Sequence, residues 1–208
     1  MHLVLDFIDS DELPSVEFEN ITVTTFRLLH RVASYVYGFT ERKVDADLNI
    51  EKLTQQGIPR GPLWGQLKQG FDVEFAGEQL KSHDYLIFKH KPRKVVIAGD
   101  NDQPDLLFAA CEDAQALVHE ATYTEEMAEK AGDVGHSYAK LVADFAESVQ
   151  LPNLVLTHFS PRYQINPHAT PSIEDIRKEA YSGSLYLARD FSEYTLDKTG
   201  RFSELAGE

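Results

Sequence analysis

Apolar and polar residues alternate through VEFENITVTTFRLLH, which predicts two strands joined at Glu19-Asn20, and SYVYGF continues as a third strand. The first third of the chain is therefore β-rich. NIEKLTQQGIPRGPLWGQLKQG then places a short helix ahead of a segment carrying Gly57, Pro59, Gly61, Pro62, Gly65 and Gly70. That density of breakers predicts an ordered projecting loop, too long for a plain connection. From residue 94 the pattern switches to alternating strand and helix. KVVIAGD reads as a buried strand ending in an acid, PDLLFAACEDA as a helix, QALVHEAT as a strand ending in His-Glu, and TEEMAEKAG as a second helix. In SYAKLVADFAESVQ, Ser137 can cap a helix whose Leu141, Val142, Phe145 and Val149 share one face. NLVLTH is a further strand, PSIEDIRKEA a helix begun by Pro171 and Ser172, and EYTLDKTGRF a hairpin turning at Lys198 to Gly200. Alternation of this kind implies an α/β layered sheet.

Composition narrows the setting. With 208 residues, 42% of them hydrophobic, the chain can bury a core. No run approaches the roughly 18 apolar residues of a membrane span, and MHLVLDFIDSDE has neither a basic leader nor a small-residue cleavage site, so a cytoplasmic protein with no membrane partner is expected. The one cysteine, Cys111, reads as a small buried hydrophobe. A net charge of -14 argues against generic nucleic-acid binding. The charge is uneven, however: Lys52 to Gly70 carries Lys52, Arg60 and Lys68 with no acid, and Lys89 to Lys94 carries Lys89, Lys91, Arg93 and Lys94 with none. Standing alone, such stretches read as solvated basic loops.

Three predicted strands end in Asp100, His119 and His158, and a fourth, TVTTFRLLH, ends in His30. Ligands of α/β sheets gather at the carboxyl ends of strands. Imidazole and carboxylate are donors that suit zinc or manganese, and a carboxylate has two oxygens with which to bridge two ions. Two ions about 3.5 to 4 Å apart can activate a water and stabilise the leaving oxygen of a phosphodiester. Taken singly, a histidine after an apolar strand is more often a hydrogen-bonded, half-buried residue than a ligand, and no compact local motif closes the case. His136, in GHS, immediately precedes a helix, whose positive end disfavours imidazolium unless a carboxylate compensates. A histidine so tuned can deliver a proton to a leaving alkoxide; packing beside a Ser137 cap is the alternative.

In order, FRLLHRVASY, GIPRGPLWGQLKQG, AGDN, HEATY, GHSY and LTHFSPRY closely resemble the C-terminal half of ribonuclease Z, the tRNA 3′-processing endonucleases of the metallo-β-lactamase superfamily. The resemblance covers nearly the whole chain. It implies half or most of an αββα sandwich spanning residues 1–208, with the breaker-rich segment, about 41–80, as a projecting arm that grips tRNA through residues such as Arg60 and Lys68. It implies that His30 and His158 each bind one zinc, that Asp100 bridges both, and that manganese is an alternative metal. His136 then becomes the proton donor to the departing 3′ oxygen, Arg162 approaches the phosphate, and His119 and Glu120 orient the ligands from behind. The family usually reads Gly-Asp-Thr where this chain has Gly99-Asp100-Asn101.

A His-x-His-x-Asp-His cluster supplies most of the ligands in that family, and here no two histidines are separated by a single residue. The expectation is a precursor-tRNA nuclease that binds zinc weakly and is inactive alone, with an exposed sheet face, a homodimer, or a complementing N-terminal half. A noncatalytic RNA-binding or dimerisation module, and a metallo-hydrolase acting on another phosphodiester, are the other readings.

Overall fold

The computed structural model of the chain describes residues 9–165 and 180–205, and the helix expected from Pro171 lies outside them. The chain begins with β1 (Ser15–Glu17), β2 (Ile21–Leu28) and β3 (Ser34–Glu41). Next come β4 (Ala46–Leu48), α1 (Ile50–Gln55), α2 (Pro62–Lys68), β5 (Val73–Phe75), β6 (Glu78–Leu80) and β7 (Leu86–Phe88). The later part comprises β8 (Lys94–Ala98), α3 (Phe108–Cys111), β9 (Ala116–Glu120), α4 (Ala128–Val134), α5 (Ala139–Ser148), β10 (Asn153–Thr157), α6 (Arg162–Ile165), β11 (Ser184–Leu187), β12 (Tyr194–Leu196) and β13 (Phe202–Glu204). Two compact units result: residues 43–92, and the rest of the chain.

The larger unit is built on one sheet of order β1-β2-β3-β8-β9-β10-β11. Its first pairs, through β3 with β8, are antiparallel, and β8 to β11 run parallel. Two reversals therefore make β2 run in the same direction as β8. Chain leaving β2, β8, β9 and β10 consequently emerges at one edge of the sheet, the edge where α/β proteins bind ligands.

The two sheet faces differ. Val36, Val96, Leu117, Leu154, Leu156 and Leu185 project into a core closed by α5, which contributes Ala139, Val142, Ala143, Phe145 and Ala146. The face of α5 is thus centred on alanines, which let helix and sheet approach closely; Leu141, expected on this face, is only half-buried. Burial in this core pushes the Cys111 thiol up to about 12, which fits an inert packing residue. The opposite face carries Tyr37, Ile97, Val118 and Val155 in register across four strands. Ile97 there remains 42% exposed. Over β11 the hairpin β12–β13 covers part of that face through Tyr194 and Phe202, whose rings pack on Tyr186. The turn follows the expected chemistry: Asp197 Oδ1 accepts from the Thr199 and Arg201 N–H groups, and Gly200 takes φ 84°.

Residues 43–92 leave and re-enter the large sheet between β3 and β8. At that point Arg93 holds Glu41 in a two-pronged ion pair, Nε to Oε2 at 3.0 Å and a terminal nitrogen to Oε1 at 2.9 Å, and the Glu41 N–H donates to the Arg93 carbonyl at 2.8 Å. The inserted unit has its own small core of Leu53, Ile58, Leu67, Val73, Leu80 and Tyr85. Its breaker-rich stretch is not all loop, because α2 forms within it. Pro62 sits in the first turn, where a missing N–H costs nothing, and burial of Leu67 with packing by Leu63 and Trp64 outweighs Gly65.

Candidate metal centre

His30 lies two residues beyond β2 and Asp100 two beyond β8, so antiparallel pairing through β3 delivers both to the same sheet edge. His158 follows β10 directly and adopts φ 58°, a left-handed conformation uncommon for a side-chain-bearing residue and typical of functional positions. His30 Nε2 stands 3.9 Å from Asp100 Oδ2, and His158 Nδ1 stands 3.9 Å from Asp100 Oδ1. Each histidine therefore faces a different oxygen of one carboxylate. Two donors bound to one zinc at 2.0–2.1 Å with tetrahedral angles lie about 3.4 Å apart, so the His30 Nε2–Asp100 Oδ2 spacing suits shared coordination, while His158, whose Nδ1 proton goes to Thr122, offers Nε2 as its ligand atom.

His136 enters the same space. Its ring lies 5.0 Å from that of His30 and stacks on that of His158 at 5.5 Å. Two donor groups result, each with atoms within 4.8 Å of one another: His30, Asp100 and His136 in one, Glu120, His136 and His158 in the other. His136 belongs to both. The nitrogen and oxygen donors of these two groups fit zinc or manganese; of the four residues singled out at strand ends, His30, Asp100 and His158 belong to them and His119 does not.

Hydrogen bonds orient the rings. His30 Nδ1–H donates to the Gly135 carbonyl at 2.7 Å, which leaves the Nε2 lone pair toward Asp100. Thr122 Oγ1 donates to Glu120 Oε2 at 2.7 Å and so can only accept from the imidazoles, His158 Nδ1–H at 2.9 Å and His136 Nδ1–H at 3.3 Å. One hydroxyl thereby fixes the tautomers of two histidines. Glu120 is buried, and beyond Thr122 Oγ1 it accepts from the Thr122 N–H at 2.8 Å and from the Ser137 N–H. Ser137 does not cap α5 as its local sequence suggests: Tyr138 occupies the cap position, while the Ser137 hydroxyl donates to the Asn101 carbonyl at 2.5 Å. Asn101 Nδ2 faces His119 Nε2 at 3.5 Å, and His119 Nδ1–H donates to the Glu120 carbonyl at 2.6 Å. His119 is wholly buried, and burial pushes its pKa down.

Arg162 is exposed, with Nε donating to Ser160 Oγ at 3.1 Å and its guanidinium over the Tyr123 ring at 5.2 Å. Arg60 and Lys68 are exposed in the 43–92 unit, Arg60 resting over Trp64 at 5.4 Å. Thr122 and Asn101 were not singled out by the strand-end argument; the sequence signals for them are Thr122's place in HEATY and Asn101's place directly after Asp100. Beside the centre opens a cavity of about 980 Å³, lined by Asp100, Glu120, His158, Ser160, Tyr163 and Arg189 among others.

No protein-family model matches the chain. Among curated proteins it is 43% identical over 201 residues to ribonuclease Z of Pseudomonas putida strain W619, an alignment covering 95% of this chain and 63% of that protein. It is 35% identical over 187 residues to zinc phosphodiesterase ELAC protein 1 of Bos taurus, covering 85% of this chain and 52% of that protein. Among solved structures, the metallo-β-lactamase fold protein YhfI from Bacillus subtilis matches with TM-score 0.51 at 16% identity, covering 92% of this chain and 54% of that one. The sheet and its helices are thus part of a metallo-β-lactamase fold. The chain spans roughly half to two thirds of the length of these relatives, and over the stretch they share it is a homologue of ribonuclease Z.

Proposed function

We propose, from this homology, that the chain supplies one part of a metal-dependent endoribonuclease that cleaves the 3′ trailer from precursor tRNA. The observation that carries the reading is the meeting of His30, Asp100, His136 and His158, from four separate segments, at the edge of one sheet. His30, Asp100 and His158 hold the metal, and zinc is supported by the name of the bovine relative. When bound, the ions activate a water and stabilise the leaving oxygen. The chain's own residues do the remainder. Glu120 and Thr122 hold the His136 Nδ1 proton in place, so that in the doubly protonated ring, whose charge Glu120 balances, Nε2–H gives its proton to the departing 3′ oxygen and leaves the neutral Nδ1–H tautomer. Arg162 brings positive charge to the phosphate, and Arg60 and Lys68 engage the RNA backbone. His119 and Glu120 orient the rest from behind.

A complementing segment carrying a His-x-His-x-Asp-His cluster completes the coordination, and the apolar sheet face of Tyr37 and Ile97 is where it packs. The assembly is a cytoplasmic homodimer. The test is metal analysis of the dialysed chain together with precursor-tRNA cleavage by the chain alone and mixed with such a segment. Weak metal retention and cleavage only on mixing are expected. His136→Ala in the mixture should abolish cleavage with metal content unchanged, whereas His158→Ala should lower both. Two tightly held ions in the chain alone, or full cleavage by His158→Ala, would overturn the reading.

A further inference from the structure

One wall of the cavity beside the metal centre has no part in the chemistry described so far. It comes from the turn after β11, where Ala188, Arg189 and Asp190 line the same space as Asp100, Glu120 and His158. The Arg189 carbonyl accepts from the Ser192 N–H at 3.0 Å and closes a four-residue turn whose third residue, Phe191, has φ 67°. That position favours glycine or asparagine, because a Cβ is strained there. Phe191 is also 99% exposed, so burial among the described residues does not account for a large apolar side chain at a strained position. Conformational strain retained without packing in return is a mark of a functional site.

Two residues earlier, Arg189 is exposed, and its backbone N–H donates to Ser192 Oγ at 3.3 Å. Its guanidinium makes no hydrogen bond or ion pair with a described residue. A cation uncommitted among the described residues, two positions before a bared aromatic ring, offers the two contacts a nucleotide takes: charge-assisted hydrogen bonds to phosphate, and a flat surface for the base. The cavity, about 980 Å³, has room for a nucleotide between this turn and the far wall of Phe159, Ser160 and Tyr163. Asp190, exposed between the two, would repel a second phosphate but can accept from a ribose hydroxyl.

We propose that the turn Arg189 to Phe191 is a nucleotide subsite, in which Arg189 binds a phosphate and Phe191 stacks on the base of a nucleotide next to the scissile bond. The inference rests on reading the metal centre as acting on RNA. Because every base has a π-face, this subsite positions the strand without reading its sequence. Its role is to hold the strand against the centre, not to take part in bond breaking.

The experiment is fluorescence anisotropy with a fluorescein-labelled single-stranded RNA trinucleotide, and with the same backbone carrying abasic riboses. Both are titrated onto the full chain, Phe191→Ala and Arg189→Ala. Phe191→Ala should weaken the trinucleotide about 10-fold and leave the abasic probe unchanged. Arg189→Ala should weaken both probes and reduce the salt dependence by about one phosphate contact. No trinucleotide binding by the wild-type chain, or binding that neither variant alters, overturns the proposal. So does a Phe191→Ala variant that keeps its trinucleotide affinity but loses association with the complementing segment, which would make the ring a protein contact. Metal retention, which judges the metal centre, does not depend on this turn, so either idea can fail while the other stands.

Discussion

Replacing Glu120 by glutamine tests whether one buried carboxylate organises the loop that carries His136. Glu120 Oε2 receives the Thr122 N–H at 2.8 Å and the Thr122 hydroxyl at 2.7 Å, and Oε1 receives the Ser137 N–H. A glutamine has one acceptor oxygen. Its best placement keeps the Thr122 pair and turns the amide NH2 toward the Ser137 N–H, donor against donor. The loss is one hydrogen bond to a charged acceptor, about 1.5–3 kcal/mol, with the two that remain reduced from charged to neutral strength. Relief of carboxylate desolvation offsets part of this. The net expectation for Glu120→Gln is a destabilisation of about 3 kcal/mol. In urea, with a slope of about 2 kcal/mol/M, the midpoint should fall by roughly 1.5 M at unchanged slope. Hydrogen exchange should show the Ser137 amide losing its protection. A midpoint within about 0.3 M of wild type, with Ser137 still protected, would refute the claim that this carboxylate holds the loop.

Gly99→Ala should disturb Asp100 without touching it. A Cβ at Gly99 would lie 2.7 Å from Ser34 Oγ and 3.1 Å from the Tyr35 carbonyl, so the β3–β8 pair must open, at about 1–3 kcal/mol, and metal retention should fall; retention at wild-type level would count against Asp100 as a ligand. Phe191→Gly relieves about 1–2 kcal/mol of left-handed strain against about 0.5–1 kcal/mol of added chain entropy, so the melting temperature should rise slightly; a clear fall would show that the ring packs against something. The N–H and hydroxyl of Ser182 hold the Glu147 carboxyl below its ordinary pKa. A carboxylate with a depressed folded pKa contributes stability above its unfolded value and loses it as pH falls through the folded one. Protection of the Ser182 amide should therefore disappear as pH falls through a point below the ordinary glutamate range, and in Glu147→Gln it should be weak at every pH.

The strand ends were legible because hydrophobic periodicity stops where the chain leaves the sheet, and His30, Asp100 and His158 stand at those stops. What the pattern could not carry was anything decided by distant partners. Ser137 has the local signature of a helix cap, yet the Asn101 carbonyl and the Glu120 carboxylate, 36 and 17 positions away, claim its hydroxyl and its N–H. Thr122 looks like one polar residue in HEATY until folding brings His136 and His158 to its oxygen. β11 is four residues long and among the described residues pairs with β10 alone, too short for alternation to announce it. The breaker-rich stretch misleads in the other direction, since proline in a first turn and a single buried leucine are enough to wind α2. Arg189 and Phe191 carry no local pattern at all. Only the dihedral angle and bareness of the one, and the cavity beside the other, single them out.

The clamp between Glu41 and Arg93 gives the architecture a socket. Polypeptide departs and returns through neighbouring positions that are already pinned together, so the length and shape of whatever is plugged in there impose no pull on the strands bearing the histidines and Asp100. Such a junction would let evolution, or an engineer, exchange the cassette of residues 43–92 while the sheet edge that carries His30, Asp100 and His158 stays untouched.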